Sequence, residues 1–255
     1  MLEKRLMQVC TRYGKKFPKG YEKRERHAVL QSLEGWYDAS LLSTKWGKFV
    51  RLFQESGSPM KMSRWLVRNE HLTEIEAASL MKEIEPTRFK FSCRHNDLLR
   101  LGETEHYKSC LNVAWGSWGH QMLPYLSDPC LAVVFIPDEK GDFKWRALVR
   151  LLKTGSEFVL GVHRRYGNGP ELAVFAKLSE MIPVYLLRDI KETDPWSLGE
   201  EPPKYVTLET PSSYKHMPSV ARPQWTDHPL TMTKTGTILM SGRRFNKSEC
   251  ETVVG

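Results

Sequence analysis

Two cysteines and two histidines lie close together near the middle of the chain, at Cys93, His95, His106 and Cys110. Thiolate and imidazole are common ligands of zinc in proteins. Their spacing, Cys-x-His followed by His-x3-Cys, matches no known zinc finger, and free cysteines are common in protein cores. We therefore predict that the protein holds no metal and no other cofactor. The alternative is a zinc site whose ligands are these four residues.

The pair Cys110 and His106, one helical turn apart, also has the chemistry of a nucleophile and its base. Such a pair needs a third group that orients the base and donors that stabilise an oxyanion, and the sequence indicates neither. It also has no P-loop, no dinucleotide-binding glycine motif and no His-Glu-x-x-His motif. We expect a protein that is not an enzyme, and an enzyme of unknown class is the third alternative.

Basic residues are concentrated in the first part of the chain. The 255 residues include 38 Lys or Arg and 30 Asp or Glu. Residues 1–68 hold 15 Lys or Arg against 6 Asp or Glu, and the remainder is close to neutral. This asymmetry favours a partner that carries phosphates or an acidic protein surface. A solvated helical surface that is rich in lysine is the alternative.

Two amphipathic segments in this basic region have the pattern of a helix-turn-helix. Residues 44–55 and 59–69 show helical spacing of apolar side chains, and Ser56-Gly57-Ser58 separates them. Phe53 is larger than the residue that usually precedes such a turn, so an ordinary helical hairpin with solvated basic side chains is the alternative. The basic residues predicted to contact backbone phosphates are Lys45, Lys48, Arg51, Lys61, Arg64 and Arg68.

A second basic group follows the alternation of a predicted strand from Phe143 to Leu152. Alternation predicts that its arginines lie on the face opposite Trp145. The next strand ends in a basic segment just before a predicted helix, whose first amides suit an anion. The alternative is a solvated outer sheet face. The residues predicted to form this second surface, with the tyrosine stacking on a base, are Arg146, Arg150, Arg164, Arg165 and Tyr166.

A Gly-rich loop at residues 114–119 carries Trp115 and Trp118. Exposed tryptophans are typical anchors of protein interfaces, whereas tryptophans packed beneath a sheet are part of the core. We treat both residues as candidates for a protein interface.

Periodicity divides the chain into three regions. Residues 1–86 form a basic helical region, and residues 87–190 contain strands, hairpins and a helix. Residues 191–255 are rich in Pro, Ser and Thr, which predicts a loop-rich extension with one or two short strands. The predicted fold class is α+β, with a mostly antiparallel sheet and one or two packed helices.

Local signals place some helix boundaries within the first region. Apolar residues from Ala28 to Trp36 mark one helix, and Pro59 is predicted at the start of another. Thr73 and Glu76 have the spacing of a capping box at the start of a third.

Cysteine usage and hydropathy indicate the compartment. Five cysteines, an odd number without framework spacing, indicate reduced thiols and a cytoplasmic protein. No apolar run is long enough for a signal peptide or a membrane span. We expect a soluble protein with no membrane partner, and the sequence leaves its oligomeric state open.

Four short sequence segments that lie within residues 60–170 are relevant to the class of protein. They are Ser63-Arg64-Trp65-Leu66, Lys108-Ser109-Cys110-Leu111, Tyr125-Leu126-Ser127-Asp128, and Asp138 to Gly141 followed by Arg146. Together they resemble uncharacterised accessory proteins of bacteriophages. The resemblance implies expression in the cytoplasm of a bacterial host and allows a host-takeover or counter-defence role. It carries over no catalytic residue.

Two functions follow from these patterns. The first is a non-enzymatic protein that binds DNA or RNA, with a regulatory or host-takeover role. The alternative is an inhibitor or adaptor that docks on an acidic host protein, with its tryptophans as anchors.

Overall fold

The computed structural model describes residues 4, 7, 8, 11, 25–39, 44–84, 87–119, 122–187, 205–211, 231–234 and 236–246. Contacts divide the chain into two compact units. The first unit consists of Met1–Trp36, Phe89–Gly169 and Ile182–Arg244, and the second of Tyr37–Arg88, Pro170–Met181 and Phe245–Gly255. Predictions for residues 12–24, 188–204, 212–230 and 247–255 lie outside the described part of the chain.

Helices and strands both contribute to the described residues. The helices are α1 (Ala28–Ser32), α2 (Thr44–Glu55), α3 (Met62–Asn69), α4 (Glu74–Ile84), α5 (His95–Leu99), α6 (Met122–Ser127) and α7 (Glu171–Ser179). The strands are β1 (Gly35–Ala39), β2 (Thr87–Ser92), β3 (Leu131–Pro137), β4 (Phe143–Thr154), β5 (Glu157–Gly167), β6 (Val184–Leu187), β7 (Val206–Glu209), β8 (Thr231–Met232) and β9 (Ile238–Arg244). Within this part of the chain, no helix combines the length and the apolarity needed to cross a membrane.

The strands form one sheet in the order β1-β2-β3-β4-β5-β6-β9-β7, with β8 paired to β9. The pairs β2–β3, β3–β4, β4–β5, β6–β9 and β7–β9 are antiparallel. Strands β5 and β6 are parallel, because the chain passes through α7 between them. The predicted α+β class with a mostly antiparallel sheet is confirmed.

A tight turn joins β3 to β4. The Asp138 carboxylate Oδ1 accepts hydrogen bonds from the backbone amides of Lys140 and Asp142, at 2.9 and 2.8 Å. Gly141 has a φ of 81°, in the left-handed region that glycine enters without a Cβ penalty. Aspartate and glycine therefore form this hairpin turn by local chemistry.

Five strands of the first unit close into a ring. Strand β4 pairs with β7 through Lys153 and Glu209, in addition to its pairing with β5, and the path continues through β6 and β9 back to β7. Closure pairs backbone groups that an open sheet edge would leave unpaired. The ring strands share one apolar cluster, formed by Leu152, Val159, Tyr185, Leu187, Leu208, Ile238 and Met240.

A second apolar cluster of the same unit combines β3 and β4 with α5, α6 and the loop before α6. Phe135 and Phe143 stack with their ring centroids 4.0 Å apart. Strand β4 is buried continuously from Trp145 to Leu152, so both of its faces are covered. Doubly buried strands normally carry apolar side chains throughout, so the arginines of β4 need compensating contacts.

The second unit contains a helical hairpin followed by a third helix. Trp65, Leu66 and Ala77 are buried where these helices pack together. Phe53 meets Trp65 edge to face, with ring centroids 5.6 Å apart. The large residue before the turn is therefore partly buried against the core of this unit. Gly57 forms the turn itself, at a φ of 58°.

The capping box at the start of α4 is confirmed. Thr73 Oγ1 accepts from the amide of Glu76 at 3.2 Å, and Glu76 Oε2 accepts from the amide of Thr73 at 2.8 Å. Two other predictions are wrong. Helix α3 begins at Met62 rather than at Pro59, and α1 ends at Ser32.

The helix predicted to extend to Trp36 gives way to strand β1. Gly35 disfavours a helix, and the aromatic residues that follow it favour a strand.

Candidate nucleic-acid interface

The second unit exposes basic side chains on one side of α3. Lys61, Arg64 and Arg68 are exposed, whereas Trp65 and Leu66 are buried. Arg64 and Arg68 are four residues apart and lie on one face of the helix, and Lys61 is the N-cap residue directly before its first turn. None of the three forms an ion pair with another described residue. We call this group the α3 basic surface.

Helix α2 contributes less to this surface. The Arg51 side chain is 69% exposed, and its Nε lies 3.9 Å from Glu55 Oε1. An ion pair of this length and exposure contributes little to stability. The side chains of Lys45 and Lys48 lie outside the described residues. Four of the six predicted helical residues are therefore placed, and all four are exposed.

A groove of about 290 Å³ lies between α3 and α4. Glu74 and Glu76 occupy the first turn of α4, where carboxylates suit the positive end of the helix dipole. Arg64 and Glu74 both line the groove, so the α3 basic surface meets an acidic side chain there. The lining residues are Ser63, Arg64, Val67, Glu74, Ala77 and Ala78.

The prediction that Arg146 lies on an open basic face is wrong, because its side chain is completely buried. Its Nε donates to the Leu101 carbonyl at 3.0 Å and its Nη2 donates to Ser109 Oγ at 3.2 Å. The guanidinium carbon lies 4.4 Å from the centroid of the Tyr166 ring and 5.8 Å from that of Tyr107. A carbonyl, a hydroxyl and two aromatic rings thus replace water around this cation, and no part of it is exposed to a phosphate.

The same prediction is wrong for Arg150. Its Nη1 forms an ion pair with the Asp128 carboxylate, and both side chains are only 1% exposed. Asp128 Oδ1 also accepts from the Cys130 amide at 2.9 Å, and the Asp128 carbonyl accepts from Arg26 Nη1. Arg26, Asp128 and Arg150 therefore form a buried charged cluster whose charges depend on one another.

The sequence contains a signal that Arg146 and Arg150 are buried. Leu148 and Leu152 occupy the same alternating positions of β4 as Arg146 and Arg150. Apolar residues on both faces of a strand are typical of burial on both sides. The sequence contains no comparable signal that Asp128 is the partner of Arg150, because Asp128 does not belong to the same element.

The end of β5 holds the other predicted surface residues. Arg165 is exposed and Tyr166 is partly exposed. Arg165 pairs with Ala147 and His163 with Leu148, so Arg164 is an extra residue at a bulge. The Arg164 side chain lies outside the described residues.

Tyr107 is a candidate that sequence reasoning missed. Its ring centroid lies 5.6 Å from that of Tyr166, with the two planes at 38°. Burial raises the pKa of the Tyr107 hydroxyl above its ordinary value, although the neighbouring Arg146 acts in the opposite direction. The two tyrosines come from a loop and from a strand end, and no local pattern links them.

The structure does not bring the four candidate zinc ligands together. Cys93 is buried, and its Sγ donates to the Leu30 carbonyl at 3.2 Å. Burial raises the pKa of Cys93 to about 12, which keeps the thiol protonated. Burial, and then the charge of Arg26, lower the pKa of His95.

His106 and Cys110 have separate partners as well. His106 Nε2 lies 2.8 Å from Asp138 Oδ2, and Cys110 Sγ lies 3.8 Å from the Tyr166 hydroxyl. Because each contact is with a different partner, neither contact makes His106 and Cys110 a nucleophile–base pair. In the described ranges, no three His, Cys, Asp or Glu side chains are arranged to hold a metal ion.

The two tryptophans of the Gly-rich loop differ in environment. Trp115 is 54% exposed, whereas Trp118 is partly buried against the second apolar cluster. The buried Asn112 side chain holds the loop, because its Oδ1 accepts from the amides of Ala114 and Trp115 and its Nδ2 donates to the Gly102 carbonyl. Trp115 is therefore presented to solvent by an ordered loop.

The fold and the site define an α+β protein with a closed five-stranded ring, a buried arginine cluster and a basic surface on its helical unit. No protein-family model, curated protein or solved structure matches this chain.

Proposed function

We propose that this protein is a non-enzymatic nucleic-acid-binding protein that contacts backbone phosphates through the α3 basic surface. The observation that carries the proposal is the exposure of Arg64 and Arg68 on one face of α3 and of Lys61 at its N-cap, none of them in an ion pair with another described residue. Unpaired cations in a row attract a polyanion, and their spread along the helix is about 10 Å. Arg146 and Arg150 are not part of this proposal, because they are buried.

Phosphate contacts make the affinity depend on salt in a calculable way. Each neutralised phosphate contributes about 0.9 to the logarithmic salt slope on duplex DNA. Three contacts therefore predict a loss of affinity of about 40-fold between about 50 mM and about 200 mM salt. The contacts do not read base edges, so different sequences should bind with similar affinity.

Fluorescence anisotropy with a labelled duplex tests the proposal. The triple variant K61E/R64E/R68E should lose most of its affinity at low salt. The control K140E/K144E/K234E changes the net charge equally at exposed lysines of the first unit, and should bind more tightly than the α3 variant. Absence of binding by the unmodified protein at low salt, or equal losses in both variants, would refute the α3 basic surface.

The resemblance to bacteriophage accessory proteins suggests the setting for this activity. A phage protein that binds nucleic acid without sequence preference would act on host or phage nucleic acid in the bacterial cytoplasm, in a regulatory or host-takeover role. Expression in a bacterial host followed by crosslinking to DNA and RNA would identify the nucleic acid that it contacts.

The exposure of Trp115 favours a second candidate function, docking on a host protein as an inhibitor or adaptor. An aromatic side chain held by an ordered loop loses little conformational entropy on binding, which is typical of interface anchors. In a pull-down from nuclease-treated bacterial lysate, the unmodified protein should retain its partner. The Trp115→Ala variant should lose it. Trp36→Ala is a matched control, since Trp36 is 46% exposed in the same unit. Loss of all partners on nuclease treatment would exclude this function.

A further inference from the structure

The groove between α3 and α4 is a cavity of the second unit that the proposed phosphate contacts leave unused. Its volume of about 290 Å³ is at the lower limit of ligand-binding pockets, so it has room for one ring system rather than for a large ligand. Val67, Ala77 and Ala78 line it with small apolar side chains. Apolar side chains suit the face of a planar ring such as a nucleobase.

Two side chains of opposite charge line the same groove. Arg64 and Glu74 are both exposed, and neither forms an ion pair with the other or with another described residue. A guanidinium only donates hydrogen bonds, and a carboxylate only accepts them. An occupant that satisfies both side chains must therefore present acceptors to Arg64 and donors to Glu74.

The position of Arg64 joins the groove to the α3 basic surface, since this residue belongs to both. A nucleic-acid backbone on that surface would pass beside the groove, but the negative charge of Glu74 disfavours a phosphate inside it. A base attached to that backbone is uncharged and offers both donors and acceptors. Bases of a duplex are already paired, whereas those of a single strand expose their Watson–Crick edges to a protein.

We propose that the groove holds one unpaired guanine of a single-stranded nucleic acid whose phosphates contact the α3 basic surface. The Watson–Crick edge of guanine carries two adjacent donors, the ring N–H and the exocyclic amino group, which match the two oxygens of the Glu74 carboxylate. Its O6 and N7 atoms are acceptors for Arg64. The other bases lack two adjacent donor groups. The inference rests on the proposed nucleic-acid binding and specifies its ligand.

Three substitutions in α4 test the groove. Glu74→Gln keeps the size of the side chain and replaces one acceptor oxygen by a donor. Glu76→Gln is the matched control, because Glu76 is exposed in the same helical turn and does not line the groove. It changes the net charge equally, and glutamine keeps the acceptor for the Thr73 amide. Ala78→Leu fills the groove at an exposed position, where leucine is a good helix former.

Fluorescence anisotropy would compare two labelled oligothymidines of about ten nucleotides, one with a central guanosine and one with inosine in its place. Inosine lacks only the exocyclic amino group, so the unmodified protein should bind the guanosine strand about tenfold more tightly. This preference should persist in Glu76→Gln and disappear in Glu74→Gln. Ala78→Leu should also lose the preference, and its affinity for a labelled duplex should be unchanged.

Equal affinity of the unmodified protein for the two strands would overturn the inference. A guanosine preference that survives in Glu74→Gln or in Ala78→Leu would overturn it too, as would one lost equally in Glu76→Gln. If the guanosine preference is absent and Ala78→Leu loses a nuclease-resistant partner in the lysate pull-down, the groove holds a protein segment instead of a base.

The duplex titrations distinguish this inference from the proposed function. If the guanosine preference is absent while K61E/R64E/R68E loses the duplex, the guanine site is wrong and the α3 basic surface stands. If K61E/R64E/R68E binds the duplex normally while the guanosine preference depends on Glu74, the guanine site stands without the α3 basic surface.

Discussion

Arg150 of β4 forms an ion pair with Asp128, at the end of α6, and the two side chains are each only 1% exposed. A buried ion pair is costly to desolvate, and it persists only when further hydrogen bonds satisfy both partners. Asp128 meets this condition, because its carboxylate also caps the Cys130 amide and its carbonyl accepts from Arg26. The cluster joins the N-terminal segment, α6 and β4 in the first unit.

Asp128→Ala should be strongly destabilising. It leaves the buried cation of Arg150 without its carboxylate, and breaking a buried pair in this way costs about 3–5 kcal/mol of unfolding free energy. Urea denaturation followed by circular dichroism measures the change.

The matched control for Asp128→Ala is Glu34→Ala. The Glu34 carboxylate pairs with Arg94, whose side chain is 69% exposed, so its removal should lower the free energy of unfolding far less than Asp128→Ala does. An Asp128→Ala protein as stable as the Glu34→Ala protein would contradict the importance of the buried cluster.

The contact between His106 and Asp138 predicts a pH dependence. The hydrogen bond from His106, followed by that from the Asp142 amide, lowers the folded-state pKa of Asp138. The stabilising contribution is therefore complete above the ordinary carboxyl pKa of about 4, and it is lost as the pH falls through the lower, folded-state pKa. A carboxyl-detected NMR titration should find the Asp138 midpoint below that ordinary value.

His106→Ala should raise the Asp138 midpoint towards the ordinary pKa, because the largest cause of the shift is removed. His71→Asn serves as control, since His71 belongs to the second unit and is exposed. An Asp138 midpoint that is the same in all three proteins would show that the contact is not formed in solution.

The three described cysteines should differ in reactivity. Cys93 and Cys130 are buried, and the pKa of Cys93 is raised to about 12, whereas Cys110 is partly exposed. Only the thiolate reacts, so N-ethylmaleimide should modify Cys110 at least about a hundredfold faster than Cys93. Peptide mapping by mass spectrometry separates these sites from Cys10 and Cys250, which lie outside the described residues.

Denaturant provides the control for the cysteine measurement. In the unfolded chain the three thiols should react at similar rates, because burial no longer distinguishes them. Rapid modification of Cys93 or Cys130 in the native protein would contradict the burial of these residues.

Local patterns predicted much of the fold. The β3–β4 hairpin depends on Asp138 and Gly141 within its own turn, and the capping box depends on Thr73 and Glu76 three residues apart. Such elements are stabilised by neighbouring residues, so the sequence contains all the information that they need. The α3 basic surface was predictable for the same reason, because it follows from helical spacing.

The chemistry of β4 was mispredicted. Alternation correctly predicts that Arg146 and Arg150 share one face of the strand, but that face is covered rather than open. The leucines at 148 and 152 share that face, and they indicated that it is covered. The contacts that make burial of the arginines possible come from Leu101, Ser109, Asp128 and Tyr166.

The sequence by itself determined the β3–β4 turn, the capping box of α4 and the basic face of one helix, because these depend on residues a few positions apart. Only the tertiary structure decided that β4 closes onto β7, that two arginines are core residues, and that Tyr107 lies beside Tyr166. Each of these depends on which distant segments pack together. Burial decides whether a charged side chain is a binding group or a structural one, and burial is a property of the folded chain.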